Sequence, residues 1–146
     1  MVVDHKSKWL AAAPIRDKSA SSVANALKSC IIPNLLRIPT NVLTDNGLEF
    51  KGKETEDILA NYGINHIYSS PYNPASNGAV ERVNRTLINT IKALTNDLRV
   101  WNKILPKAIV VYNNTIHSKL HASPSEFLLK NEFGPCLLYT SDAADE

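Results

Sequence analysis

Two acids are placed where chemistry could use them. Asp45 closes the short apolar run Pro39-Thr40-Asn41-Val42-Leu43 and is followed at once by Asn46-Gly47. That pair tolerates the positive φ other side chains resist, so the spacing predicts a strand that ends at Asp45 and turns away. Glu81 follows 36 positions later, after PYNPASNG at 71–78, a stretch of loop composition, and at the start of a long apolar-periodic segment. A carboxylate closing a strand and another opening a helix, both beside one loop, make a cleft suited to a hard cation such as Mg²⁺. That ion takes oxygen ligands, commonly one or two carboxylates together with substrate phosphates. The local alternative for Asp45 is an Asx turn, in which its carboxylate only accepts backbone N–H groups.

The elements that must position these acids can be read from periodicity and turn chemistry. Val2-Val3 and residues 9–15 read as two strands around the polar His5-Lys6-Ser7-Lys8. A helix opens near Ser19, with Val23, Ala26, Leu27, Cys30 and Ile31 at helical spacing until Pro33 interrupts it. After the strand ending at Asp45, residues 51–62 read as a helix that turns Ile58, Leu59 and Tyr62 inward, with Gly63 as its stop. Ile64 to Ser69 reads as a strand. The helix expected after Gly78 places Val80, Val83, Leu87, Ile91, Leu94 and Leu98 on one buried stripe, with Glu81 in its first turn near the positive end of the dipole. A further helix runs from Trp101, taken as a core residue, to about Asn113. Ser123-Pro124-Ser125-Glu126 is a capping signal for a last short one. This order predicts a mixed α/β sheet that begins with a hairpin and continues through helical crossovers.

Length and composition bound the rest. With 146 residues, 44% hydrophobic and 21% charged, the chain fits one ordinary domain with a real core. It has no signal-peptide pattern and no apolar run of membrane length, and its two cysteines suggest no disulfide framework. A reducing nuclear or cytoplasmic setting, away from membranes, is expected. Net charge is only +2, but residues 40–81 carry six acids against two bases, and residues 82–119 carry seven bases against one acid. An acidic centre followed by a basic stretch suits metal ions meeting a polyanion; a solvated helix face would give a similar basic count. His117 and His121 have the spacing of half a zinc site but lack a cysteine pair, so a structural or surface role is expected. Residues 131–146, with CLLYTSDAADE, have no place in the pattern and read as a disordered or foreign tail beyond a domain of residues 1–130.

Thr44-Asp45-Asn46-Gly47 with Phe50, then SPYNPASNGAVERVNRTL at 70–87, closely resemble the catalytic core of retroviral and long-terminal-repeat retrotransposon integrases. The resemblance runs from about Val2 to Leu129, includes VVDHKSKW, and keeps that family's spacing of 35 residues between the last two acids. It implies an RNase H-like fold and DDE-type polynucleotidyl transfer, in which three carboxylates hold Mg²⁺ or Mn²⁺ ions across a scissile DNA phosphate. Asp45 and Glu81 would be the second and third acids, both catalytic and metal-binding. Asn84, Arg85, Tyr72, Asn73, Ser76 and Asn77 match positions that touch DNA, and a homo-oligomer acting on element ends and target DNA is implied.

The first acid belongs on an opening strand that this chain does not include, so the resemblance implies a core lacking that strand. Asp4 lies 41 positions before Asp45, within loose limits for the first spacing. VVDHKSKW, however, matches the second strand, so Asp4 is a doubtful catalytic candidate and reads better as a hairpin turn residue. Two other functions stay open: a catalytically dead DNA-binding or oligomerisation remnant, and an RNase H-like nuclease acting on RNA–DNA hybrids.

Overall fold

The computed structural model describes residues 1–70 and 74–133. β1 (Val2–Val3) and β2 (Leu10–Ala11) form an antiparallel hairpin, with Val3 opposite Leu10 and Val2 opposite Ala11. Asp4 and Trp9 close it through a 2.9 Å Asp4 N–H to Trp9 carbonyl bond. Val3 and Leu10 are then the pair whose backbone groups point outward. Leu10 uses this: its N–H donates to Asn113 Oδ1 and its carbonyl accepts from Asn113 Nδ2, both at 2.9 Å and both buried. One side-chain amide thus stands in for a neighbouring strand.

α1 (Ala20–Ala26) is capped by Ser19, whose hydroxyl accepts from Ser22 N–H. The helix expected to reach Ile31 unbroken instead widens into a π turn over Leu27–Ile31, then tightens around Pro33. Of the expected stripe Ile31 is buried and Val23, Ala26, Leu27 and Cys30 are half-buried, while Ala24 is buried as well and Ile32, just past the π turn, joins Ile31 in the core.

β3 (Asn41–Thr44), α2 (Lys53–Asn61) and β4 (Asn65–Tyr68) form a strand–helix–strand unit with parallel pairing, Thr44 beside Tyr68 and Val42 beside His66. Gly63, at φ 69°, ends α2 as expected. Its N–H reaches Ala60 and that of Ile64 reaches Leu59, the paired bonds of a Schellman cap. α2 buries Thr55 and Leu59 and half-buries Ile58; Tyr62, expected to face inward, is exposed.

Among the described residues the expected single sheet is two separate two-stranded pieces, β1–β2 and β3–β4. The outer edge of β2 is closed by Asn113, and the outer edges of β1 and β3 do not pair with each other.

α3 (Pro74–Leu94) packs against α4 (Trp101–Asn113), and the hairpin lies on both. Leu10, Leu87, Ile91, Leu105, Ala108 and Tyr112 form the core, joined by Val3, Val83 and Leu94. Each large apolar side chain buried here contributes about 1.5–3 kcal/mol. The expected stripe is right at its centre and wrong at its ends. Val80 lies in the early turns of α3, ahead of that cluster, while Leu98 belongs to a separate 3₁₀ turn after α3 has stopped; both are exposed. Trp101 is exposed too, lining an open cleft of about 380 Å³ with Pro14, Ile15, Arg16, Arg99 and Asn102. α5 (Pro124–Leu128) starts with the full capping box foreseen from Ser123 and Glu126.

Candidate active site

β3 delivers Asp45 at its carboxyl end, one residue after the last pair of the parallel ladder. The turn that follows does not use positive φ: Gly47 has φ −57°. Side chains hold it instead. Asp45 Oδ1 accepts from the Gly47 N–H at 2.9 Å, and Asn46 Nδ2 donates to the Ser69 carbonyl at 2.7 Å, fastening the turn to the end of β4. The Asx turn is therefore present, yet it engages one carboxylate oxygen. Asp45 is exposed, and Oδ2 has no partner among the described residues.

α3 begins at Pro74 rather than after Gly78, since proline's fixed φ suits the first helical turn. Gly78 consequently lies inside the helix and is not its entry. Glu81 is two turns in, beyond the first turn where the terminal dipole is felt, so that part of its expected environment is absent. Glu81, Asn84 and Arg85 are all exposed, and no hydrogen bond or ion pair engages any of them among the described residues. Arg85 stands one turn on from Glu81, where a cation can meet a phosphate. Tyr72 and Asn73 lie outside the described residues, as do the side chains of Ser76 and Asn77.

Asp4 occupies the hairpin turn. Its Oδ2 accepts from the Ser7 N–H at 2.8 Å and the Ser7 hydroxyl at 2.6 Å. Burial raises its pKa, but the two Ser7 hydrogen bonds and the charge of Arg37 outweigh this and hold the carboxyl below its usual range. Among the described residues no group of three His, Cys, Asp or Glu is gathered where it could hold a metal ion.

One cluster was missed from sequence. Behind Asp45, on the face covered by α2, His66 Nδ1 meets Glu56 Oε1 at 2.7 Å, and His66 Nε2 meets Thr44 Oγ1 at 2.8 Å. The Tyr68 hydroxyl donates to the same Glu56 oxygen at 2.5 Å. The Glu56 carboxyl is held below its ordinary pKa, first by the Tyr68 hydroxyl, against burial, and then by His66. Tyr68 is pushed up, first by its bond to Glu56. The signal was available in the alternation: His66 and Tyr68, two apart on a strand, share a face. What sequence alone lacked was the register that puts Thr44 on that face as well.

A parallel strand pair with helices around it, an acid at a strand's carboxyl end and a second acid on the following helix make a mixed α/β protein, and the solved structures it resembles are integrase cores of the RNase H-like class. The integrase core domain family model matches residues 1–74. The Pol polyprotein of feline endogenous virus ECE1 is 32% identical over 144 residues, which is 91% of this chain and 14% of that polyprotein. The Gag-Pol polyprotein of baboon endogenous virus is also 32% identical over 144 residues, 91% of this chain and 8% of the relative. The catalytic core domain of BIV integrase superposes with a TM-score of 0.67 at 28% identity, covering 82% of this chain and 76% of that one. A simian T-cell lymphotropic virus intasome chain shares the fold, with a TM-score of 0.78 at 24% identity over 91% of this chain and 48% of its own. This chain belongs to the integrase core domain family, whose members generally use divalent metal ions. No helix among the described residues is long and apolar enough to cross a membrane.

Proposed function

We propose that residues 1–130 are the core-like portion of a polynucleotidyl transferase that joins the 3′ ends of element DNA to target DNA, working in the nucleus or cytoplasm as a homo-oligomer. The observation that carries this reading is the presentation of Asp45. A parallel pair delivers it, one of its oxygens is pinned by Gly47, and the other has no partner among the described residues. Glu81 adds an exposed carboxylate on the next helix, without a partner among the described residues, and hard oxygen donors of this kind suit Mg²⁺ or Mn²⁺. Such ions supply activation of the attacking oxygen and neutralisation of the leaving one. The chain's own task is to hold Asp45 and Glu81 as ligands, while Asn84 and Arg85, with Tyr72, Asn73, Ser76 and Asn77, bind and orient the DNA backbone.

Glu81→Gln is expected to abolish Mg²⁺-dependent joining of a viral-end-type duplex while leaving salt-sensitive DNA binding in place. Unchanged joining by this variant would sink the assignment, and cleavage confined to an RNA–DNA hybrid would favour the nuclease. A second reading, a DNA-binding and oligomerisation remnant, is favoured by one observation: among the described residues the acids are not gathered in threes. Binding of DNA with no joining by the unaltered chain in either Mg²⁺ or Mn²⁺ would select it.

A further inference from the structure

The Glu56–His66–Thr44 chain ends one residue from Asp45. The parallel register places Val42, Thr44, His66 and Tyr68 on the face of β3–β4 that α2 covers, and the His66 side chain is only 4% exposed. Its two nitrogens reach different elements: Nδ1 to Glu56 on α2 at 2.7 Å, Nε2 to Thr44 on β3 at 2.8 Å. The Thr44 hydroxyl is 2.9 Å from the Asp45 carbonyl, to which it donates. The ionised Glu56 accepts only, so Nδ1 carries a proton. A second proton on Nε2 lets His66 donate to Thr44 while Thr44 donates onward to Asp45. Without it, Nε2 is an acceptor that competes for the single Thr44 hydroxyl proton. The charged or titratable groups around the ring are Glu56 from α2 and Tyr68 from β4, with Lys51 lying 5.8 Å above the Tyr68 ring.

We propose that His66 is a positioning residue. Buried between α2 and β3, it aligns Thr44 so that the strand end presents Asp45 with Oδ1 on the Gly47 amide and Oδ2 facing out. This deepens the metal-ligand reading of Asp45, on which its functional meaning rests, but the positioning can be measured without metal. On the β3 side of the turn it acts together with the Ser69 N–H, which donates to the Thr44 carbonyl at 2.7 Å, while Asn46 anchors the other side, to the Ser69 carbonyl.

The test uses the whole chain and follows the Gly47 amide, the donor to Asp45 Oδ1, by NMR hydrogen exchange. His66→Asn can keep a bond to Glu56 but cannot reach Thr44; His66→Gln can put an N–H near the position of Nε2; Thr44→Val keeps a β-branched strand residue and loses the hydroxyl. The Asn and Val variants are expected to speed Gly47 exchange about tenfold, the scale of one hydrogen bond, and Gln to restore most of the protection. Core amides at Leu105 and Ala108 should stay protected throughout, which separates loosening of the turn from unfolding. Unchanged Gly47 exchange in a folded Thr44→Val chain, or a Gln variant no better than Asn, overturns the proposal. Titration with Mn²⁺ alone then reads the other arm through paramagnetic broadening near Asp45. If broadening is absent from the unaltered chain, the metal reading fails while the exchange data still decide on His66. If it is present, the Asn and Val variants are expected to need about tenfold more Mn²⁺.

Discussion

The hairpin with α3 and α4 and the β3–α2–β4 unit are built on opposite principles. The first half is apolar and closed: Leu10, Leu87, Ile91, Leu105, Ala108 and Tyr112 exclude water together, and the buried Asn113 amide both accepts from the Leu10 N–H and donates to the Leu10 carbonyl. The second is wetter and polar. Its α2-facing side is linked by Thr44, His66, Glu56 and Tyr68, while the other face leaves Leu43 at 54% and Ile67 at 46% exposure, side by side in register. Apolar packing holds a scaffold without caring about charge state. A hydrogen-bonded face fixes particular atoms, which suits the end of β3 that carries Asp45.

The comparison can be broken most forcefully at its apolar side. Leu105→Ala, at 4% exposure, should cost about 3 kcal/mol through lost transfer energy and a residual cavity, read as a lower urea midpoint. A loss below about 1 kcal/mol would mean the packed half is looser than its burial implies. A smaller effect is expected from acid. Glu56 titrates below its usual 4.5 in the folded chain, so the unfolded chain binds its proton more readily. Its contribution is complete above about pH 4.5 and disappears as pH falls through the lower folded value. Protection of β4 amides against exchange, taken relative to the intrinsic rate at each pH, should therefore fall in mild acid before that of α4 amides does, and Glu56→Gln should remove that difference. The smallest effect is expected on the open face: Leu43→Thr should change stability by no more than about 0.5 kcal/mol, since half the side chain is already in water. A loss of several times that would show the face to be covered in solution.

What could be read from sequence follows the same division. Local chemistry was legible: Ser19 and Ser123 as caps, Gly63 as a stop, the Ser123/Glu126 box, and Asp45 at a strand end each depend on residues within a few positions. Facing was legible only where elements overlap in space. Leu87 and Ile91 are buried because α4 lies against them, whereas Val80, Leu98 and Trp101 have the same character but fall outside the overlap. The π turn after α1, which places Ile32 in the core beside the expected Ile31, could not be foreseen from spacing alone. At the candidate site, Asp45 and Glu81 were found by type and spacing. The true start of α3, and with it the depth of Glu81 in the helix, required the Pro74 turn to be recognised as helical. His66 stayed hidden because its role depends on a partner 22 positions away in a parallel register.

The amide of Asn113 joins residues 103 positions apart, and this has a consequence for how the chain is made. During synthesis the outer edge of β2 emerges early, with the N–H and carbonyl of Leu10 unpaired, and nothing nearby in sequence can satisfy them. An open, apolar strand edge recruits other strands, its own neighbours on a polysome included. The hairpin is therefore a waiting structure until the last turn of α4 leaves the ribosome. Chains stalled before Asn113 should associate where chains released just beyond it do not, a difference visible by sedimentation of arrested complexes.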